Sequence, residues 1–197
     1  MADDRSYPAR DYDYTIPGVP YTRYGVTLIR LAESDLELVR SWRNNPEIRD
    51  YMVYREYITE EMQRRWFASI NNRNNFYSMI HYEGQAIGLS HTKNVDWSTM
   101  TGEGGMMIWS KAHQNSNVPF LAALLGTDWM FNELGMNAII GRVLKTNKRA
   151  LRYDRALGYV FDPPDPDSDV LVGRLTPESY ERATAGIRAV LIRESAT

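Results

Sequence analysis

Three strand-like segments follow one another in the middle of this sequence, at residues 76–83, 85–95 and 102–109. Short links rich in turn-forming residues separate them, which is typical of an antiparallel meander. From residue 118 onward the pattern changes, because helical and strand-like segments alternate to the end of the chain. A run of strands followed by this alternation predicts an α/β (mixed α+β) domain with a central mixed sheet and helices on both faces.

Capping and stop signals place the helices between the strands. The signals are a capping box formed by Ser34 and Glu37, a cap at Thr59, Pro119 in a first helical turn, Gly158 as a stop, and Thr176 followed by Pro177. In the first helix, Leu38 and Trp42 stand four residues apart and predict its buried face, and Pro46 predicts its end. With a further strand at residues 24–31, the predicted order is β-α-α-β-β-β-α-β-α-β-β-α.

The composition narrows the classes of protein. The chain has 197 residues, 43% of them hydrophobic, which fits one domain, predicted at residues 23–197 after a Tyr/Pro-rich arm at residues 1–22. A formal net charge of −2 argues against a general attraction to nucleic acid or membrane, so neither is expected as a partner. The absence of cysteine excludes disulfides, thiolate metal sites and a cysteine nucleophile, and three isolated histidines give no reason to expect a metal. No export signal or membrane-spanning stretch is visible, so we expect a cytoplasmic protein.

The motifs of several large enzyme classes are missing. There is no P-loop, no Rossmann glycine fingerprint on a strand, no paired-histidine zinc helix and no nucleophile elbow. The chemistry that is left uses backbone donors, carboxylates, hydroxyls and at most one histidine.

Four phrases in a fixed order carry a family resemblance. They are residues 31–49 with Trp42, Arg43 and Asn44; residues 58–67; Ile87 and Gly88 followed by residues 103–109; and residues 147–150 leading to residues 156–159. In this order and spacing, the chain resembles the GNAT superfamily of acyl-CoA-dependent N-acyltransferases over about residues 26–180. The similarity is closest to its ribosomal-protein N-acetyltransferase branch and to the aminosugar N-acetyltransferases of the pseudaminic acid pathway.

The resemblance implies a site for acetyl-CoA in a V between two central strands that splay apart. The pantetheine would pair with the strand at residues 106–109, and the pyrophosphate would lie on the loop before the next helix, where free N–H groups and the helix dipole favour negative charge. The cofactor-binding residues implied are Met107, Ile108 and Trp109 on the strand, Gln114, Asn115, Ser116, Asn117 and Val118 on the loop, and Asn147, whose alternative role is a plain helix cap.

The loop departs from the family pattern at two positions. Asn117 and Pro119 stand where the family has small residues, usually glycine. Asparagine tolerates left-handed backbone, so the turn can survive, but proline removes one donor. Loss of one charge-assisted bond costs about 1.5–3 kcal/mol, or roughly 10–100-fold in affinity. The alternative is that the protein has lost CoA use and serves as a binding or assembly subunit.

The position of the family's proton-donating tyrosine is also altered. Counting back from Gly158, that position holds Asp154, and Tyr153 comes one residue earlier. An ionised aspartate cannot donate a proton. The leaving thiolate would be protonated through water, by Tyr153 in a shifted helical frame, or by no protein acid.

Acyl transfer to an amine also needs a base and an acceptor site. Glu103, at the family's carboxylate position, is the first candidate base, and His91 on the preceding strand is the second. Trp42, Arg43, Asn44 and Tyr54 are candidate walls of the acceptor site, and core packing is the alternative role of Trp42.

The resemblance therefore predicts an acetyl-CoA-dependent N-acetyltransferase that acts by direct attack, since no cysteine can form an acyl-enzyme. The predicted acceptor is a primary amine of a small molecule or of a nucleotide-linked aminosugar. The alternatives are a protein N-terminal acetyltransferase and a GNAT-fold protein without CoA binding. The last strand, the final helix and the arm suggest a homodimer.

Overall fold

The computed structural model describes residues 19–70 and 72–194. Eight strands and seven α-helices lie within these residues. The strands are β1 (Tyr21–Arg23), β2 (Val26–Arg30), β3 (Phe76–Tyr82), β4 (Gln85–Asp96), β5 (Thr101–Ile108), β6 (Ala138–Leu144), β7 (Val160–Phe161) and β8 (Val170–Leu175). The helices are α1 (Leu36–Asn44), α2 (Pro46–Arg49), α3 (Glu60–Ile70), α4 (Lys111–Gln114), α5 (Val118–Asn132), α6 (Lys148–Leu157) and α7 (Pro177–Glu194).

The strands form a single sheet in the order β1-β2-β3-β4-β5-β6-β8-β7. Neighbours are antiparallel except for β5 and β6, which run parallel. The α5 crossover between β5 and β6 allows this parallel pairing. The mixed sheet predicted from the sequence is confirmed.

The one parallel pair separates partway along its length. Pairing runs from Thr101 with Ala138 to Glu103 with Ile140 and then stops. Beyond that point β5 continues to Ile108 and β6 to Leu144. The two strands therefore enclose a wedge-shaped opening in the centre of the sheet, as the resemblance implied.

Hydrophobic side chains alternate between the two faces of the sheet and create two cores. On β3, Phe76 and Ile80 join the core that contains α5, whereas Tyr77 and Met79 join the core under α1 to α3. Each fully buried apolar side chain contributes about 1.5–3 kcal/mol. Helices consequently cover both faces, as predicted from the sequence.

The start of α1 differs from the prediction. Ser34 lies in a 3₁₀ turn, and the carboxylate of Asp35 accepts the N–H of Ala32 at 2.9 Å instead of a Ser34 cap. The helix then buries Leu36, while Leu38 is 39% exposed. Pro46 begins the short helix α2 and does not simply end α1. The predicted Leu38 face and the Ser34 capping box were therefore wrong.

The predicted arm lies mostly outside the described residues, since residues 1–18 are not among them. Val19 is 2% exposed, and Tyr21–Arg23 pair with β2, so the sheet begins before the boundary at residue 22. Among residues 19–70 and 72–194, no helix is long and apolar enough to cross a membrane.

Candidate active site

A cleft of about 1310 Å³ passes through the wedge between β5 and β6. Residues 104–108 of β5 and residues 141–144 of β6 form its two sides at the centre. The half on the side of α1 to α3, where the resemblance places the acceptor, is called the acceptor half and is lined by residues such as Arg43, Tyr77 and His91. The donor half, on the other side, is lined by residues of α5 and α6.

The backbone of β5 has an open edge along this cleft. The N–H of Trp109 donates to the carbonyl of Ile87 on β4 at 3.0 Å, so it is not available to a ligand in the cleft. Because backbone groups alternate in direction along an antiparallel strand, Ile108 presents its groups to the opposite side. The carbonyl of Ile108 accepts the side-chain N–H of Gln114 at 2.9 Å. The side chain of Met107 is 7% exposed and packs in the core beneath α1 to α3. On this strand, the groups that remain for a ligand are therefore those of the backbone edge that is not paired with β6.

The loop before α5 presents few free N–H groups. The N–H of Ser116 donates to the carbonyl of His113 at 3.1 Å, and the N–H of Val118 donates to the Ser116 hydroxyl at 3.1 Å. Pro119 has no N–H, and Asn117 has right-handed backbone with φ −78°. The left-handed turn that Asn117 would permit is therefore not formed. The loop therefore offers few backbone donors to an anion.

Arginine side chains lie where the loop donors are missing. The guanidinium of Arg149 donates to the side-chain oxygen of Asn115 at 3.0 Å. Arg149 and Arg152 line a smaller cavity of about 460 Å³ that shares Gln114, Asn115 and Tyr153 with the main cleft. The loop end of the cleft is therefore cationic, a feature that the sequence analysis did not identify.

Asn147 is both a helix cap and a residue of the cleft wall. Its side-chain oxygen accepts the N–H of Ala150 at 3.1 Å. Asn147 therefore caps α6, which was its alternative role in the sequence analysis, and it also lines the cleft.

Glu103, the first candidate base, lies at the last position at which β5 pairs with β6. Its carboxylate accepts a hydrogen bond from Asn94 at 3.1 Å and forms ion pairs with Lys93 at 3.5 Å and Arg142 at 3.4 Å. Burial raises the pKa of Glu103, but the Asn94 hydrogen bond and the two cations outweigh it, and the net shift is downward. Glu103 is thus an ionised carboxylate at neutral pH.

His91, the second candidate base, lines the acceptor half and stacks on Tyr77 with 5.3 Å between the ring centroids. Burial, followed by the charges of Lys93 and Arg43, lowers the pKa of His91 to about 3. The ring is therefore neutral at physiological pH, and its conjugate acid is too strong for it to take a proton from an ammonium efficiently.

Asp154 and Tyr153 both line the cleft from α6. Tyr153 stacks on Phe120 at 6.3 Å. Burial raises the pKa of Asp154 to about 6, and Tyr159 lies close enough to feel its charge. A fraction of this carboxyl is therefore protonated near neutral pH. The sequence analysis treated Asp154 as ionised, and its burial in the folded protein is the feature that was not considered there.

Two of the four predicted acceptor residues line the cleft, namely Arg43 and Tyr54. Trp42 stacks on Trp109, with centroids 6.2 Å apart and rings 7° from parallel, so packing is its observed role. Asn44 forms a two-way hydrogen bond with the backbone of Ile58, both distances being 2.8 Å. Neither Trp42 nor Asn44 lines the cleft, because both side chains are used within the protein.

Tyr77 and Arg149 are residues of the cleft wall that the sequence analysis did not single out. Arg149 follows Asn147 and Lys148 in one of the four family phrases and was visible there as a cation beside the loop. Tyr77 alternates with core residues of β3 and carries no distinguishing signal. Among the residues that the structure describes, no cluster of His, Asp or Glu is arranged to hold a metal ion.

Comparison with protein families gives a match to the acetyltransferase (GNAT) domain over residues 26–160. No curated protein sequence matches the chain. Among solved structures, the spermidine N-acetyltransferase of Vibrio cholerae in complex with CoA and spermine has a TM-score of 0.73 at 18% identity, covering 79% of this chain and 98% of that chain. A domain from Methanocaldococcus jannaschii has a TM-score of 0.66 at 18% identity, covering 77% of this chain and 97% of that one. At such identities the similarity shows the fold alone.

Proposed function

The chain belongs to the GNAT acetyltransferase family, and from that premise we propose that it transfers the acetyl group to a primary amine of a small molecule or a nucleotide-linked aminosugar. As a member of this family it is an acetyltransferase that uses acetyl-CoA. The observation that carries the proposal is the continuous cleft between β5 and β6, which joins an acceptor half to a donor half through the sheet.

The residues of the donor half fit acetyl-CoA. The unpaired edge of β5 beyond Glu103 offers backbone groups to the amide chain of pantetheine. Arg149 and Arg152, together with Lys148, place positive charge near the loop and would hold the phosphates in place of the missing loop N–H groups. Bound acetyl-CoA supplies a thioester that an amine attacks directly, since the chain has no cysteine to carry the acetyl group.

The acceptor half prepares the amine. Lys93 and Arg142 line the cleft beside Glu103 and lower the pKa of a nearby ammonium, because like charges disfavour the charged form. The ionised carboxylate of Glu103 receives the released proton directly or through one water, and because its lowered pKa makes it a weak base, it passes the proton on to solvent. His91 is neutral, so it can form a hydrogen bond with the acceptor, but it does not serve as the base.

Asp154 is the proposed proton donor to the leaving sulfur. It lines the cleft from α6, and its carboxyl has no hydrogen bond or ion pair with the other described residues. When the bond from the amine nitrogen to the acetyl carbon forms and the carbon–sulfur bond breaks, the protonated Asp154 neutralises the thiolate. Tyr153, which stacks on Phe120, is the alternative donor.

Binding and transfer are tested in sequence. Calorimetry with acetyl-CoA measures the first step, and mass spectrometry with a panel of aminosugars, nucleotide-linked aminosugars, polyamines and peptide N-termini measures the second. We expect acetyl-CoA binding and a mass increase of one acetyl group on a small amine. Acetylation of peptide N-termini alone would replace the proposed acceptor, and no binding at millimolar acetyl-CoA would contradict the enzyme. Light scattering on the same sample tests the predicted homodimer.

A further inference from the structure

Arg43 presents a half-buried guanidinium to the acceptor half, and no ion pair joins it to another residue of the described ranges. The side chain comes from the last turn of α1 and lines the cleft. Its Nε is buried, and within residues 19–70 and 72–194 no oxygen accepts a hydrogen bond from it. A buried charged donor without an acceptor is unfavourable, and a folded protein keeps one chiefly where a ligand completes it.

The walls around Arg43 are aromatic and uncharged. Tyr77 and Tyr54 are the groups that interact with its charge. Tyr77 is 8% exposed, and Trp66 meets it edge-on with 5.0 Å between the ring centroids. Desolvation by these walls strengthens any hydrogen bond from the guanidinium to an anionic oxygen.

The acids of the acceptor half are already paired. Glu47 accepts a hydrogen bond from Lys111 at 2.8 Å. Glu103 is held by Asn94, Lys93 and Arg142, as described above. Among the described residues of this half, Arg43, Lys93, Lys111 and Arg142 face two acids, and Arg43 is the one of these four cations that forms no ion pair.

This charge distribution selects among amines. A polyamine would bring several ammonium groups next to cations and would find no free carboxylate in this half of the described cleft. An amine that also carries a carboxylate or a phosphate would instead pair its anionic oxygens with Arg43. Its ammonium would lie closer to Glu103, at the start of the wedge.

From these contacts, we infer that Arg43 binds an anionic group, carboxylate or phosphate, on the acceptor, and that the enzyme acetylates amines bearing such a group in preference to neutral amines and polyamines. The inference rests on the proposed function and adds the chemical class of the acceptor. Arg43 is a specificity-determining residue in this proposal and takes no part in proton transfer.

Matched acceptor pairs test the inference on the wild-type protein. Glucosamine 6-phosphate is compared with glucosamine, β-alanine with 3-aminopropan-1-ol, and spermidine is measured alone. We expect kcat/KM to be at least about tenfold higher for the anionic member of one pair, since a charge-assisted bond is worth roughly 10–100-fold. The pair that shows the preference distinguishes phosphate from carboxylate. Equal rates within both pairs, or a preference for spermidine, would overturn the inference and leave the acetyltransferase function standing.

Substitution then connects the preference to the residue. Arg43→Gln should raise KM for the preferred anionic acceptor about 10–100-fold, leave kcat nearly unchanged and bring the two members of the pair to similar values. Arg43→Lys should restore part of the preference. Arg49→Gln is the matched control, because Arg49 pairs with Asp50 and does not line the cleft. An equal loss for anionic and neutral acceptors would assign Arg43 a structural role and refute the inference. If Arg43→Gln fails to fold, the comparison of anionic and neutral acceptors on the wild-type protein still tests the inference.

Failure of the proposed function gives a different pattern. Absence of acetyl-CoA binding, or of acetyl transfer to every amine tested, contradicts the function itself. Binding and transfer without an anionic preference contradict only the assignment of Arg43.

Discussion

Gly105 on β5 lies directly against the ring of His91 on β4. A Cβ at position 105 would stand 2.7 Å from Cε1 and 2.9 Å from Nε2 of His91. The opposite face of the ring is not free to move, because His91 stacks on Tyr77 at 5.3 Å. The absence of a side chain at position 105 thus leaves the space that the His91 ring occupies in the wall of the acceptor half.

Gly105→Ala should destabilise the protein. The methyl group must displace His91 or the β5 backbone, and overpacking of this kind costs about 1–3 kcal/mol. Urea unfolding followed by tryptophan fluorescence measures the difference. Gly186→Ala is the matched control: a Cβ there meets nothing within 4 Å, so helix propensity should make it neutral or up to about 1 kcal/mol stabilising. Equal effects of the two substitutions would refute the contact between Gly105 and His91.

The sheet and most helices could be predicted from the sequence because their signals are local. The strands predicted at residues 76–83, 85–95 and 102–109 agree with β3, β4 and β5 to within one residue at each end, since turn residues mark where each strand stops. Leu38 was assigned to a buried face and is exposed, because the direction in which α1 faces the sheet is decided by long-range packing. β1 was missed because three residues give no periodicity.

The chemistry of the site was less predictable than the fold. The pKa of Asp154 depends on burial by residues distant in sequence, and the pairing of Glu103 with Arg142 crosses from β5 to β6. The roles of Trp42 and Asn44 were likewise decided by partners, Trp109 and Ile58, that no spacing reveals. The sequence allowed the residue types and their strand positions to be predicted, but not the partner of each side chain.

Asp154→Asn should stabilise the protein and slow the reaction. Burial raises the pKa of Asp154 from its ordinary value of 3.8 to about 6, so the folded state binds its proton more tightly than the unfolded state. Its contribution to stability is therefore fully present below pH 4 and is lost as the pH rises through 6. The variant should match the wild type near pH 3.5 and exceed it by about 2–3 kcal/mol at pH 7.

Turnover supplies the second readout for Asp154. If its proton neutralises the leaving sulfur, Asp154→Asn should lower kcat about a hundredfold with acetyl-CoA affinity unchanged. Asp162→Asn, in an exposed loop, is the control and should change neither quantity. A stabilised variant with full activity would show that Asp154 is buried for another reason and would favour Tyr153 or water as the proton source.

Glu103→Gln should lower turnover with little change in acetyl-CoA affinity. The amide keeps the shape of the side chain but cannot receive the proton of the amine, which corresponds to roughly a hundredfold or greater loss in kcat. Glu47→Gln removes a carboxylate whose ion pair with Lys111 is exposed, and it should have a much smaller effect. Steady-state rates at saturating acetyl-CoA compare the two variants, and an unchanged rate removes Glu103 as the base.

Arg149→Gln should weaken acetyl-CoA binding about 10–100-fold, because the loop before α5 offers few N–H groups to the phosphates and Arg149 stands beside it. S-acetylpantetheine has no phosphates and should bind the variant and the wild type equally. The wild-type affinity for acetyl-CoA should fall with rising salt, and less steeply in the variant. Calorimetry with both ligands measures this, and an equal loss for both would show that Arg149 supports the loop instead of contacting phosphate.

Tyr180→Phe should destabilise the attachment of α7 to the rest of the domain. The hydroxyl of Tyr180 donates to the carboxylate of Asp128 at 2.8 Å, and Asp128, 1% exposed, also accepts from Tyr24 at 2.6 Å and Arg23 at 3.0 Å. Removing one donor from a buried carboxylate costs about 1–3 kcal/mol. Tyr51→Phe, with its side chain 55% exposed, is the control and should cost less than about 0.5 kcal/mol. Equal unfolding midpoints for both variants would contradict a structural role of the Asp128 network, which joins β1, α5 and α7 across one face of the sheet.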